Sequence, residues 1–436
     1  MYRNKVVSAD EAVKLIQSNQ RIYTGGGAGV PHRLIDALCK RASEHLHRTQ
    51  VQVLRDVEIV HVLAFGAAPH LAPEFKDSFR HRALFIGENA RQAVQEGRAD
   101  FMPVFLSEIP DLFRNGTLPL DAALIQVSPP DEHGFCSFGA EVGCTKPAAQ
   151  SAKLVIAEVN RRMPRVLGDS FIHVSKLSYV VEVDYPLPEA PQAGSTEVHS
   201  KIGKHIANMI PDGATLQLGI GSIPDAVLAQ VGDKRDLGIH TELFSDGVIG
   251  LVERGVITNE KKTLHPGKII AGFLFGSQKL YNFANDNAII ELHPSDYVND
   301  PFIIAQNENM IAINSAIEVD ITGQVCADSI GPAIYSGIGG QVDFVRGAAR
   351  SKGGKPIIAL PATAKDGQMS RIVTQLKPGA GVVTSRGDVH YVVTEYGVAE
   401  LYGRSIRERV KAMIEIAAPQ FQEELEEYAR QNHYLW

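Results

Sequence analysis

Cysteine is scarce in this chain. Four residues in 436 (Cys39, Cys136, Cys144, Cys326) stand far apart, with no Cys-x-x-Cys. That excludes a disulfide framework or a cysteine zinc site and points to a reducing compartment. Long apolar runs are also missing. The longest, at 269–276, has the length of a buried strand, against the roughly 20 residues needed to span a bilayer. The first eight residues hold no signal-peptide core, so a cytoplasmic location without membrane contact is expected. Basic charge is not in excess either. There are 43 Lys+Arg against 50 Asp+Glu, a net charge of -7, and no basic stripe, which argues against a nucleic-acid partner.

Several signatures of known chemistry are absent too. No G-x-x-x-x-G-K-[ST] phosphate loop occurs. Gly219-Ile220-Gly221 is followed by Pro224 rather than a third glycine, so the dinucleotide fingerprint fails. There is no G-x-S-x-G and no H-E-x-x-H. Asp131-Glu132-His133 reads as a turn, since three adjacent side chains do not readily converge on one metal ion.

What remains is a globular balance, 44% hydrophobic and 21% charged, in a chain too long for one ordinary core. Ser8-Ala9-Asp10-Glu11 is a capping box that predicts a helix from near residue 9 to near Asn19. Strands then alternate with helices up to about residue 184, the pattern of an α/β protein with a largely parallel sheet. The stretch 185–195, with three prolines, reads as a linker. After it the pattern restarts. Gly25–Pro31 and Gly219–Pro224 hold the same place in a helix–strand–Gly turn–Pro–helix unit. The strand at Ala122 and the one at Ile311 match at a shift of 189 residues. This predicts an internal duplication. The fold expected is two similar α/β domains, 1–190 and 195–436, each with a mainly parallel sheet flanked by helices and with the site in the cleft between them. A helix over about 405–418 and a tail helix over 421–431 close the chain.

Three stretches can carry chemistry. Gln217-Leu218-Gly219-Ile220-Gly221 ends a strand and opens a helix, where glycine lets backbone N–H groups approach an anion. Leu237–Leu243 alternates as a strand and delivers Glu242 just before the helix cap at Ser245-Asp246-Gly247. Gly339-Gly340 opens a second close-approach loop. Lys365, Ser370 and Arg371 could meet phosphates or a carboxylate. His32, after Pro31, is a candidate for the opposite wall. Each feature alone also fits ordinary structure.

Taken in order, five stretches resemble the acetyl-CoA hydrolase/transferase family. They are Val127–Ser137, Gln217–Pro224, His240–Gly247, Gly339–Phe344 and Val393–Ala399, and they span nearly the whole chain. The resemblance implies a CoA-transferase with Glu242 as nucleophile. Gln217, Leu218, Gly219, Ile220, Gly221, Gly339 and Gly340 then bind coenzyme A, and His32 and Gln217 are candidates for the acyl pocket. CoA enters as substrate and leaves as product, and the chemistry calls for no metal and no redox cofactor. The donor implied is a short-chain acyl-CoA such as acetyl-CoA, and the acceptor a carboxylate such as 4-hydroxybutyrate or butyrate. An acyl-CoA hydrolase using the same residues is the alternative. A non-catalytic CoA-binding regulator is a third reading. A homodimer is expected on frequency alone.

Overall fold

The computed structural model describes residues 2–46, 54–191 and 194–436. The chain packs as two units, one of Met1–Ala190 with Ala271–Val298, the other of Pro191–Ile270 with Asn299–Trp436.

The first unit is built on seven parallel strands. Their order is Tyr179–Val183, Leu154–Asn160, Ala122–Val127, Arg21–Thr24, Val57–His61, Phe79–Ala83 and Ala99–Phe101. Every residue of Ala122–Val127 is buried, as expected of a strand covered on both faces. The helix His32–Leu46 buries Leu34, Leu38 and Ala42, one face at four-residue spacing. They join a core with Ile22, Ile59, Leu124 and Ile156. Arg21–Thr24 is flanked by strands that lie on opposite branches of the winding. The loop leaving it therefore opens at a topological switch point, where doubly wound sheets bind ligands.

The second unit repeats the plan. Its strands run in the order Gly397–Glu400, Tyr391–Thr394, Lys355–Ala359, Met310–Ser315, Thr215–Leu218 and Gly238–Phe244. All are parallel except the added Gly397–Glu400. Thr215–Leu218 lies between Gly238–Phe244 and Met310–Ser315 as Arg21–Thr24 lies between Val57–His61 and Ala122–Val127. The duplicated α/β architecture is thus present in the topology, and both Gly turns leave a switch-point strand.

Some local expectations need correction. The Ser8 capping box forms, but the helix it starts is one turn, Ala9–Ala12, continued as a 3-10 turn Val13–Leu15. Asn19 then takes a left-handed conformation at φ 63°, and Arg21 enters the sheet. Near the C-terminus the helix is Ile406–Glu415, opened by a Ser405–Glu408 capping box. The tail helix runs Pro419–Gln431, two residues earlier than expected, because proline is well suited to a first helical position. Val410, Met413, Leu425 and Ala429 from these helices cover Val392 and Ala399 of the sheet. Among the described residues, no helix is long and apolar enough to cross a membrane. None of the four cysteines forms a disulfide.

Candidate active site

Glu242 sits near the end of the strand Gly238–Phe244, half-buried between buried neighbours Thr241 and Leu243. Its strand parts from Thr215–Leu218 after the Leu216–Ile239 pair, the last in their ladder. Thr241 takes over where the ladder stops. Its Oγ1 accepts from the Leu218 N–H at 3.3 Å and lies 2.9 Å from the Leu218 carbonyl. The end of the switch-point strand is therefore tied, through one hydroxyl, to the residue before the carboxylate.

Two donors hold that carboxylate. Asn299 Nδ2 donates to Oε2 at 3.2 Å, and the backbone N–H of Gly340 donates as well. Gly340 is the N-cap of the helix Gln341–Arg350, so the carboxylate lies at the positive end of a helix dipole. The requirement for glycine is steric. A methyl built on Gly340 would overlap Glu242 Oε2 and Asn299 Nδ2. Gly339 is needed for another reason, a backbone φ of 58°. Burial nevertheless outweighs both hydrogen bonds and raises the Glu242 pKa to about 7. At neutral pH the carboxylate is balanced between its two protonation states. A carboxylate of this pKa can act as a nucleophile, and the amide and backbone N–H on its oxygen can hold negative charge that develops there when its own carbonyl is attacked.

Asn299 has no signal in the sequence. It is fully buried, and its Oδ1 has no protein partner. The local signal belongs to its neighbours. Asp300 caps the short helix Pro301–Ile304 by accepting from the Phe302 N–H at 2.7 Å, which fixes the chain direction just beyond Asn299.

The other expected residues fall into place unequally. Around Gly219 and Gly221 no atom of the described residues lies within 4 Å of an added Cβ, and Gly221 adopts φ 117°; Ile220 is exposed. The turn is open, with room for a ligand. Gln217 is buried and paired with Asn314, which donates back to it at 3.1 Å. His32 belongs to the first unit and begins the helix after Pro31. Its N–H donates to Tyr185 Oη at 3.3 Å, its ring packs against Gly66, and burial lowers its pKa. Lys365 and Ser370 lie in a small hairpin, Thr363–Ala364 with Met369–Ser370, which Arg371 follows. Ser370 Oγ is taken up just beyond it, donating to the Ile372 carbonyl at 2.5 Å.

Two family-like stretches are explained by turns. Asp131 accepts from the N–H groups of His133 and Phe135 at 3.0 and 2.8 Å and pairs with Arg165, so 131–134 is a turn, as expected. Glu395-Tyr396 forms the two-residue connection of a hairpin whose last pair is Thr394–Gly397. Glu395 also receives the Ala362 N–H at 2.8 Å.

The first unit holds a second buried carboxylate that sequence reasoning did not single out. Glu141 accepts from the backbone of Cys144, Thr145 and Gly26 and from the Thr145 hydroxyl. Burial raises its pKa to about 7. With its lone pairs occupied by the start of the helix Thr145–Ser151 and by the Gly turn, it serves as a structural cap.

The acetyl-CoA hydrolase/transferase N-terminal domain model matches residues 1–188, and the C-terminal domain model residues 276–429. A 4-hydroxybutyrate coenzyme A transferase of Clostridium kluyveri is 52% identical over 98% of this chain and 97% of its own. A butyryl-CoA:acetate CoA-transferase of Anaerostipes caccae is 37% identical over 97% of this chain and 95% of its own. The crystal structure of a 4-hydroxybutyrate CoA-transferase from Porphyromonas gingivalis superimposes with a TM-score of 0.84 at 42% identity, covering 99% of this chain and 98% of the other. With both domain models matched and full-length relatives at this identity, the chain belongs to the acetyl-CoA hydrolase/transferase family.

Proposed function

We propose that this protein is a CoA-transferase that moves CoA from a short-chain acyl-CoA, with acetyl-CoA as donor, to a carboxylate such as 4-hydroxybutyrate or butyrate. Glu242 is the covalent carrier. Its carboxylate adds to the thioester carbonyl, the C–S bond breaks, and CoA thiolate leaves an acyl-glutamyl anhydride. The thiolate then attacks the Glu242 carbonyl, and the donor acid departs as its carboxylate. A glutamyl-CoA thioester remains. The acceptor carboxylate enters and the steps reverse. Energy is conserved because each activated bond, thioester or anhydride, is exchanged for another and none is lost to water.

The observation that carries this reading is the clamp on Glu242 by Asn299 and Gly340 at a helix N-terminus. Oxyanion donors of this kind are typically worth about 3 kcal/mol each. The open Gly turn at 219–221 is assigned to CoA and its backbone N–H groups to the developing charge.

The test is incubation with acyl-CoA, borohydride reduction and mapping of the modified residue, alongside thioester assays with and without free acetate. Reduction at Glu242 and thioester exchange only with acetate support transfer. Loss of thioester in water alone supports hydrolysis. A modified residue elsewhere, or transfer by Glu242→Ala, refutes the carrier role.

A further inference from the structure

A second set of chemically competent side chains lies in the first unit, outside every motif discussed above. His61 ends the strand Val57–His61, and His81 lies in the neighbouring strand Phe79–Ala83. Ile59 pairs with His81. His61, two residues beyond Ile59, emerges on the same sheet face. His70 comes from the 3-10 turn Pro69–Leu71 in the connection between them. The His61 and His81 ring centroids are 4.2 Å apart, and those of His70 and His81 5.2 Å. All three are buried, at 1%, 6% and 4% exposure in chain order.

The hydrogen bonding does not account for this arrangement. His70 Nε2 and His81 Nδ1 face each other at 3.2 Å. Both nitrogens of His61, with His70 Nδ1 and His81 Nε2, have no hydrogen-bond partner among the described residues. One ring nitrogen from each histidine lies within 4.8 Å of the others. The rings are buried and four of their six nitrogens are not taken up by hydrogen bonds among the described residues, so donor atoms for a cation are present.

We propose that His61, His70 and His81 form a three-histidine site for a divalent first-row metal ion, with zinc the best match. An all-nitrogen donor set disfavours magnesium and calcium, which take oxygen ligands. Zn–N bonds of roughly 2.0–2.1 Å at tetrahedral angles place neighbouring nitrogens about 3.4 Å apart. The His70–His81 pair already has that spacing. The widest pair closes by about 1.4 Å at most, through side-chain torsions. Three protein nitrogens leave the fourth position to water.

The site would act as a clamp. The segment leading from His61 to His70 carries Leu63 and Phe65. The Leu63 carbonyl accepts from the Gly27 N–H at 2.5 Å, and the Phe65 N–H donates to the Gly27 carbonyl at 3.2 Å. A metal fixing both ends of this segment to the sheet would fix the first unit's Gly turn with it. The role is separate from the carboxylate relay, in which no step is assigned to a metal.

The experiment uses the untagged full-length protein, stripped with chelator, loaded with excess Zn²⁺ and desalted before elemental analysis. One zinc per chain is expected in the wild type and in a His133→Ala control, and none in His70→Ala. Zinc retained equally by His70→Ala, or not retained by the wild type, overturns the proposal. Should His70→Ala fail to fold, Co²⁺ loading of the wild type decides. The intense visible absorption of tetrahedral cobalt is expected; a weak octahedral spectrum or none refutes the site.

Discussion

Replacing Gly340 by alanine separates catalysis from stability in a way the geometry specifies. The new methyl would occupy space held by Glu242 Oε2 and Asn299 Nδ2, so the carboxylate and its amide donor must both move. Misplacement of a reacting group by about 1 Å costs on the order of 100-fold. Loss of one well-placed donor costs about 10²–10³-fold in kcat, roughly 3 kcal/mol. The backbone raises no objection, because Gly340 has φ −95° and ψ 6°, open to any residue. Alanine there narrows the unfolded ensemble and gains about 0.4–1 kcal/mol, against about 1–3 kcal/mol for overpacking. The net loss is at most about 2.6 kcal/mol, within what a domain stable by about 5–15 kcal/mol tolerates. Acyl-CoA:acetate exchange measured beside thermal unfolding should show kcat down by at least about 100-fold in a protein that still unfolds cooperatively. The exposed Gly387→Ala variant should leave kcat unchanged and unfold at the same or a slightly higher temperature. A folded Gly340→Ala enzyme within about threefold of wild-type kcat would refute the clamp, since about 0.65 kcal/mol is too little for a displaced nucleophile.

The Glu242 pKa of about 7 predicts an acid limb in kcat/KM for acyl-CoA. Activity should rise with pH through about 7 as the carboxylate ionises and then level off. Asn299→Ala removes a hydrogen bond that lowers this pKa, so its limb should move to higher pH; an unmoved limb would assign the titration to another group. Thr241→Val keeps the shape of the side chain but leaves the Leu218 N–H without its acceptor. Chemical denaturation should show a loss of about 1–3 kcal/mol, and an unchanged midpoint would mean that the hydroxyl does not hold the strand end.

The alternation of strands and helices made both sheets readable, because parallel strands buried on two faces are apolar runs and their crossovers are amphipathic helices. Glu242 and Gly340 could be picked out because each stands in a local pattern, a strand end before a cap and a glycine pair before a helix. Their contact could not be read, since 98 residues of winding separate them and only the sheet order returns one to the other. Asn299 and Glu141 stayed hidden for a related reason. An amide or carboxylate acquires its role from what the fold brings to it, and neither stands in a distinctive spacing. The three histidines were equally invisible, being at positions 61, 70 and 81 with no ligand-like interval. The division of the C-terminal helices was legible; the errors were boundaries, the early end of the first helix at Leu15 and the start of the tail helix, set by Pro419 rather than by periodicity.

The repeated winding has a consequence for how reactivity is distributed in the chain. Arg21 pairs with Glu58 in one sheet and Thr215 with Gly238 in the other, and the first glycine of each turn lies four residues after Arg21 and Thr215 respectively. Four residues beyond Glu58 and Gly238 stand Val62 and Glu242. The matching position beyond each ladder therefore carries an inert side chain in one copy and the proposed nucleophile in the other. Descent from a common half need not have left two reaction centres. With glutamate at this position in one copy and valine in the other, the proposed chemistry rests on one half and the other is free to diverge as scaffold.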